Sequence, residues 1–263
     1  VWQDIKLLNA TANVLFGVCA LLLLLAGVWL MMNRPMFTLG VIQIEGANAS
    51  ALKHVDAQII RSTALLKLKG NFFTANLDSV RNAFETVPWV RKASVRREWP
   101  NRLIVTMEEH TPLGTWGDDG EILSVKGDVF TANLAEAEEE TKLLEFSGPV
   151  GSEKEVLAHY LEFKDWFKRL DPKLDLTPEA VNYSKRYAWV VKLNNGLTVQ
   201  LGREENSTVL QERVERLIEV YPELTSRLQG KIESVDLRYP NGLALTAKDA
   251  KGQELNVVGK TKK

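Results

Sequence analysis

Cysteine is almost missing from this chain: its 263 residues hold one, Cys19, set inside the longest apolar run. No intramolecular disulfide can form, and a zinc site built on several thiolates is excluded. Histidine is scarce as well. His54, His110 and His159 stand far apart, without the spacing of a metal site or a proton relay. No HExxH, GxSxG, Walker-type or dinucleotide glycine pattern occurs. Carboxylate neighbours exist at Glu108-Glu109 and Asp118-Asp119, yet adjacent strand residues point to opposite faces and Asp-Asp-Gly is ordinary turn chemistry. An excess of one charge is also lacking. Thirty-three basic against thirty-four acidic side chains leave a net charge of −1, which argues against a broad polyanion-binding surface. These absences point away from an enzyme, a metal or cofactor protein or a nucleic-acid binder, and toward a chain that binds other proteins.

Apolar residues make up 45% and charged residues 25%, the balance of a globular chain. From Val14 to Met32 no charge occurs. At 1.5 Å rise per residue this run spans about 28 Å, close to the hydrocarbon thickness of a bilayer. A cleaved signal peptide would show a shorter core and a small-x-small site; here the run ends in Asn33-Arg34-Pro35, so an uncleaved anchor is expected. Trp29 suits an interfacial aromatic. Lys6 beside Asp4 on one flank and Arg34 on the other do not decide orientation by charge, and a chain opening at Val1 leaves room for a more basic leader. A short head and a long tail favour a cytoplasmic segment at 1–13, an anchor at 14–32 and the bulk of the chain outside.

The first soluble stretch reads as strand, helix, helix, strand, strand. Phe37–Glu45 is β-branched and aromatic; Val55, Ile59 and Leu66 fall at helical spacing before Gly70-Asn71; Leu77, Val80, Phe84 and Val87 form a second helix, with Asn76 at its cap and Pro88 at its end. Ala93 and Val95, then Leu103, Val105 and Met107, alternate around a Trp99-Pro100-Asn101 turn. Phe72, Phe73, Trp89 and Trp99 read first as core. The basic cluster Arg91, Lys92, Arg96, Arg97 and Arg102 reads as a solvated face paired with Glu98, Glu108 and Glu109; partner contact and, more remotely, nucleic acid stay open.

The second stretch opens with short strands at Leu113–Trp116, Ile122–Val125 and Val129–Thr131, an acidic loop or single helical turn at Ala135–Glu140, and a strand at Leu143–Phe146. Val156, Tyr160, Phe163, Phe167 and Leu170 predict an amphipathic helix. Tyr187–Leu193 and Leu197–Leu201 predict a hairpin through Asn194-Asn195-Gly196. Leu210–Tyr221 predicts a helix ended by Pro222, and Val235–Tyr239 with Leu243 and Leu245 a last hairpin through Pro240-Asn241-Gly242. Beyond it the charged residues 248–263 read as a disordered polar tail. A final hairpin followed by a tail too polar to cover it offers unpaired main-chain groups to an extended segment of another protein.

The residues of the first stretch carry a resemblance. Asn71-Phe72-Phe73, Leu77, Val80, Phe84 and the run from Val87-Pro88-Trp89-Val90 through Ala93-Ser94-Val95-Arg96-Arg97-Glu98-Trp99-Pro100 to Leu103 are similar to the POTRA domain of the FtsQ/DivIB cell-division family. Glu109-His110-Thr111-Pro112 with Trp116 resembles that family's passage into its second domain. The resemblance implies an α+β chain: a transmembrane helix, a POTRA domain (βααββ) at 37–109, and a mixed, mainly antiparallel β domain with two helices at 112–247. It also implies a non-enzymatic divisome scaffold of the bacterial inner membrane, with the N-terminus cytoplasmic and the folded part periplasmic at the septum. Partners implied are FtsB, paired with FtsL, at the C-terminal β edge, and FtsW, FtsI, FtsK or FtsN through the POTRA unit or the anchor. The matching partner-binding positions are Ser234, Arg238, Tyr239, Asn241, Gly242, Leu243, Ala244 and Leu245, with Arg186 (or Lys185) as a second ion-pairing candidate. Arg238 would meet acidic groups, and Tyr239 would offer a flat apolar face or else lie in the core. Pro240, lacking an N–H, narrows where a ladder can start. Two other readings stay open: a POTRA-containing export or outer-membrane assembly factor, and a membrane-anchored envelope enzyme.

Overall fold

The computed structural model describes residues 5–32, 41–47, 52–55, 58, 60, 71–171, 173, 175–227, 231–240, 242–248 and 254–260. The apolar run is the larger part of one helix, α1 (Ile5–Met32). Its stretch Leu8–Met31 is long and apolar enough to cross a membrane and is not buried by the rest of the chain, which fits a single-pass membrane protein. The chain divides into two units, Val1–Glu109 and His110–Lys263.

In the first unit the strands β1 (Val41–Gly46), β2 (Val90–Glu98) and β3 (Arg102–Glu109) form a sheet with β3 in the centre, parallel to β1 and antiparallel to β2. The helix α2 (Leu77–Glu85) lies against β2 because its spacing puts Val80, Ala83 and Phe84 on one buried stripe. Asn76 caps it as expected: Oδ1 accepts the N–H of Asp78 at 2.9 Å and of Ser79 at 3.1 Å, meeting two donors that have no partner within the helix. The helix built on Val55, Ile59 and Leu66 falls mostly outside the described residues; Gln58 and Ile60 are helical.

The four aromatics divide. Phe72 and Trp89 are core, whereas Phe73 and Trp99 are exposed. Trp99 lies at the Trp99-Pro100 corner between β2 and β3. Ion pairs link Arg91 to Glu108 (3.5 Å) and Arg102 to Glu98 (3.7 Å). Glu109 does something else. Its carboxylate accepts the backbone N–H groups of Lys53, His54 and Val55 at 2.9–3.0 Å.

The second unit is one ten-stranded sheet with helices. Its elements are β4 (Pro112–Trp116), β5 (Glu121–Ser124), β6 (Val129–Phe130), α3 (Leu134–Glu140), β7 (Leu144–Ser147), α4 (Glu153–Phe167), β8 (Pro178–Tyr183), β9 (Ala188–Leu193), β10 (Thr198–Arg203), α5 (Val209–Arg227), β11 (Lys231–Asp236), β12 (Gly242–Lys248) and β13 (Glu254–Lys260). The strand order is β13-β12-β11-β10-β9-β8-β7-β4-β5-β6. The pairs β4·β7, β7·β8 and β10·β11 are parallel and the rest antiparallel. Two crossovers, β7–α4–β8 and β10–α5–β11, step the same way along the sheet from strands of the same direction. Right-handed connection therefore puts both helices on one face. There Val156, Tyr160, Phe163 and Phe167 of α4 and Leu210, Val214, Leu217 and Tyr221 of α5 share one core with Trp189, Val191, Val199, Leu201, Val235 and Leu237. Burying each such side chain stabilises by about 1.5–3 kcal/mol, so this face holds the unit together.

Four expectations are corrected. The acidic stretch is a short third helix, α3, capped by Asn133, whose Oδ1 accepts the N–H of Ala135 at 3.1 Å. The strand β8 was not expected; Val181 and Tyr183 are its buried alternate positions, and the proline at its start obscures the pattern. Pro222 does not end α5. The helix runs on to Arg227, since Leu224 continues its apolar stripe and the Thr225 hydroxyl donates to the carbonyls of Tyr221 and Pro222. Finally, residues 254–260 of the expected tail form β13, paired with β12 over seven consecutive positions from Gly242↔Lys260 to Lys248↔Glu254. The register sets Leu255 and Val257 beside Ala247 and Leu245, apolar positions that alternate with Glu254 and Asn256.

Candidate partner-binding site

The expected binding positions fall on the last turn of chain before β13 and on the strands that flank it. β11 runs parallel to β10, with Ser234 beside Thr198 and Asp236 beside Gln200. The ladder extends one step further, Leu237 donating its N–H to the Gln200 carbonyl at 2.9 Å. β11 then stops, and Arg238, Tyr239 and Pro240 turn the chain back into β12 at Gly242. This stop settles Tyr239. Strand alternation would have sent it inward with Val235 and Leu237; because the strand ends at Asp236, its ring is 55% exposed. The Arg216 guanidinium of α5 donates to the Tyr239 carbonyl at 2.8 Å and holds the turn in place.

Arg238 is already engaged. Its Nε and Nη2 grip both oxygens of Asp236 at 2.6–3.0 Å, a two-pronged ion pair. Burial alone would raise the Asp236 carboxyl; the hydrogen bonds and charge of Arg238, with Arg213 behind them, outweigh it and hold it below its ordinary value. The same contact pushes the Arg238 guanidinium up. Beneath the pair lies Gly202, with φ of +80° in the bulge where β10 shifts register against β9. A Cβ there would stand 2.8 Å from Arg238 Cγ and 3.2 Å from Arg213 Nη1. Arg213 is buried and donates to the carbonyls of Leu201 (2.7 Å) and Arg203 (2.8 Å). Gly202, Arg213 and Asp236 thus build the seat of Arg238, with Arg216 holding the turn beside it; Asp236 lay within the stretch 234–239 matched by resemblance, and the other three were missed as site residues. The isolated Gly202 inside a strand pattern was the available signal, since it marks a bulge or a close approach.

The other positions divide by chemistry. Leu243 and Leu245 are buried toward the core, Gly242 is buried and Ala244 half-buried. β12 is paired on both sides, by β11 and by β13. The open border expected at β12 is therefore occupied, and among the described residues the outermost strand on this side is β13. Ser234 is half-buried within β11. Asn241 lies outside the described residues. Arg186 sits exposed in the turn between β8 and β9 with Tyr187, whose ring is also exposed. Register places them near Arg238: Ala188 pairs with Arg203, at the end of β10 that adjoins the end of β11. One end of the sheet thus carries Arg186, Tyr187, Arg203, Arg238 and Tyr239, a basic and aromatic rim beside the β12–β13 border.

Comparison with known proteins gives this arrangement its context. Residues 38–110 match the family model described as POTRA domain, FtsQ-type, and residues 114–238 match Cell division protein FtsQ/DivIB, C-terminal. The chain is similar to Cell division protein FtsQ of Burkholderia pseudomallei, 48% identical over 94% of this chain and 94% of that protein. Its likeness to Cell division protein FtsQ of Bordetella pertussis is 37% over 93% and 92%, and to that of Nitrosospira multiformis 35% over 93% and 98%. With both folded units matched in order and relatives aligned along nearly their whole length, the chain belongs to the FtsQ/DivIB cell-division family.

Proposed function

We propose that this chain is a non-enzymatic divisome scaffold of the bacterial inner membrane, with its folded units in the periplasm at the septum. In this reading it holds FtsB, paired with FtsL, at the C-terminal border of the ten-stranded sheet. The observation that carries the reading is the border itself: β12 pairs along its whole length with 254–260, an extended segment that sets Leu255 and Val257 beside Ala247 and Leu245. A strand site able to order such a segment can order an extended piece of another chain by the same main-chain bonds. The exposed rim of Arg186, Arg238 and Tyr239 at the end of those strands supplies selectivity for an acidic segment with an apolar side. Other division proteins, FtsW, FtsI, FtsK or FtsN, would engage the first unit or α1.

The test is capture of an FtsB–FtsL complex by the anchored chain, by a chain ending at residue 249, and by Arg238→Glu. Loss of capture on truncation makes β13 the template; a gain makes β13 a stand-in for the partner strand on β12. Arg238→Glu lowers capture in either case. Capture indifferent to both changes removes the border from the mechanism.

A further inference from the structure

Among the described residues 41–109, the large apolar side chains left exposed are three: Val41 (49%), Phe73 (41%) and Trp99 (71%). They are far apart in sequence and together in the fold. Val41 pairs with Arg102, the first residue after the Trp99-Pro100-Asn101 corner. Phe73 is tied to the same end through Arg97, whose guanidinium donates to the carbonyls of Phe72 (2.8 Å), Phe73 (3.5 Å) and Ala75 (2.8 Å) from a position two residues before Trp99. One end of the small sheet is therefore its apolar end. It is also the end at which the chain arrives from α1. Val41 follows Met32 by nine residues, a reach of at most about 30 Å, so this is the end of the sheet joined to α1.

Charge agrees with placement. Across residues 96–102 three arginines, Arg96, Arg97 and Arg102, face one carboxylate, Glu98, and all three are exposed. Exposed tryptophan flanked by arginine is the chemistry of a lipid headgroup layer, where the indole sits at the polar–apolar boundary and guanidinium groups meet phosphate. We infer that the Val41–Phe73–Trp99 end of the first folded unit rests on the surface of the bilayer that α1 enters, with Trp99 in the headgroup region and Arg96 and Arg102 on anionic phosphate. The contact needs no protein partner, and its fate is independent of the sheet border in the second unit.

The test uses the full chain with Cys19→Ser, reconstituted in vesicles of phosphatidylcholine and phosphatidylglycerol. An environment-sensitive fluorophore is placed at Asn101→Cys beside the corner or at Lys92→Cys toward the other end of β2, and the vesicles carry a nitroxide on the headgroup. Each labelled chain is first shown to keep its β-sheet circular dichroism. Expected are blue-shifted emission and several-fold stronger quenching at position 101 than at 92. Trp99→Ala should cut the quenching at 101, and vesicles of phosphatidylcholine alone should reduce it. Equal quenching at both positions overturns the inference. Protection of position 101 that appears only when another division protein is added also overturns it, making this end a protein contact.

Discussion

The two sheets finish their borders differently. The small sheet of the first unit ends in β1 and in β2, a strand interrupted by a bulge between Val90 and Lys92 and studded with arginine and lysine. Such an edge discourages further strands. What it leaves outside are side chains, Trp99 above all. The large sheet of the second unit does the opposite: β12 buries Leu243, Leu245 and Ala247 and recruits β13 from the end of the chain. One sheet thus stops at a bulged, basic strand and the other extends its main-chain ladder by a further strand, and substitutions should affect the two by different routes.

The largest expected contrast is between two tryptophans. Trp189 is fully buried, stacked between Tyr183 (4.1 Å) and His159 (4.3 Å). Trp189→Ala should lower unfolding free energy by about 3–5 kcal/mol in urea. Trp99→Ala should change it by no more than about 0.5 kcal/mol. Similar values for both would erase the distinction between an inner and an outer aromatic. Next comes Gly202→Ala, which forces a side chain into a φ of +80° and against Arg238; a loss of about 1–3 kcal/mol is expected, with weakened FtsB–FtsL capture. Unchanged capture would mean that the seat of Arg238 does not matter to binding. In the first unit Glu109→Ala strands three backbone donors, and about 1–3 kcal/mol should be lost. Amide exchange at Lys53–Val55 should accelerate with it.

The smallest effects are those of pH. Burial, then the charge and hydrogen bond of Glu155, push the Tyr183 hydroxyl up from 10.0 to about 12. The folded state holds this proton more tightly than the unfolded one, so its contribution is complete below pH 10 and is lost as pH rises toward about 12. Asp236 works in reverse. Its carboxyl is held low in the fold, so its contribution is present above the ordinary carboxylate value and disappears as acid titrates the folded group. Denaturant midpoints followed across both ranges check each sign, and Tyr183→Phe should flatten the alkaline limb.

Much of this fold was legible because local chemistry and tertiary need coincide. The β9–β10 hairpin declares itself by alternation on both sides of Asn194-Asn195-Gly196, α4 by its four-three stepping, and α2 by Asn76. What stayed hidden was set by distant partners. β13 carries only a short alternation, Leu255 and Val257, inside a charged stretch, and its pairing with β12 is what makes it a strand. Tyr239 was ambiguous because the point where β11 stops depends on Arg216, a helix residue twenty-three positions earlier. Arg238 could be named from resemblance, but its engagement with Asp236 over Gly202 required the bulge in β10 to be seen. Trp99 and Phe73 looked like core because large aromatics usually are.

The parallel register of β1 and β3 carries a mechanical consequence. The chain enters the first unit at the start of β1 and leaves it at the end of β3, and these are adjacent strands running the same way, with Val41 beside Arg102 and Gly46 beside Met107. A pull applied to the two exits slides one strand along the other, so the rungs between them share the load instead of opening one after another like a zipper. Glu109, clasped to Lys53, His54 and Val55 where the chain leaves, adds a latch that must also give way.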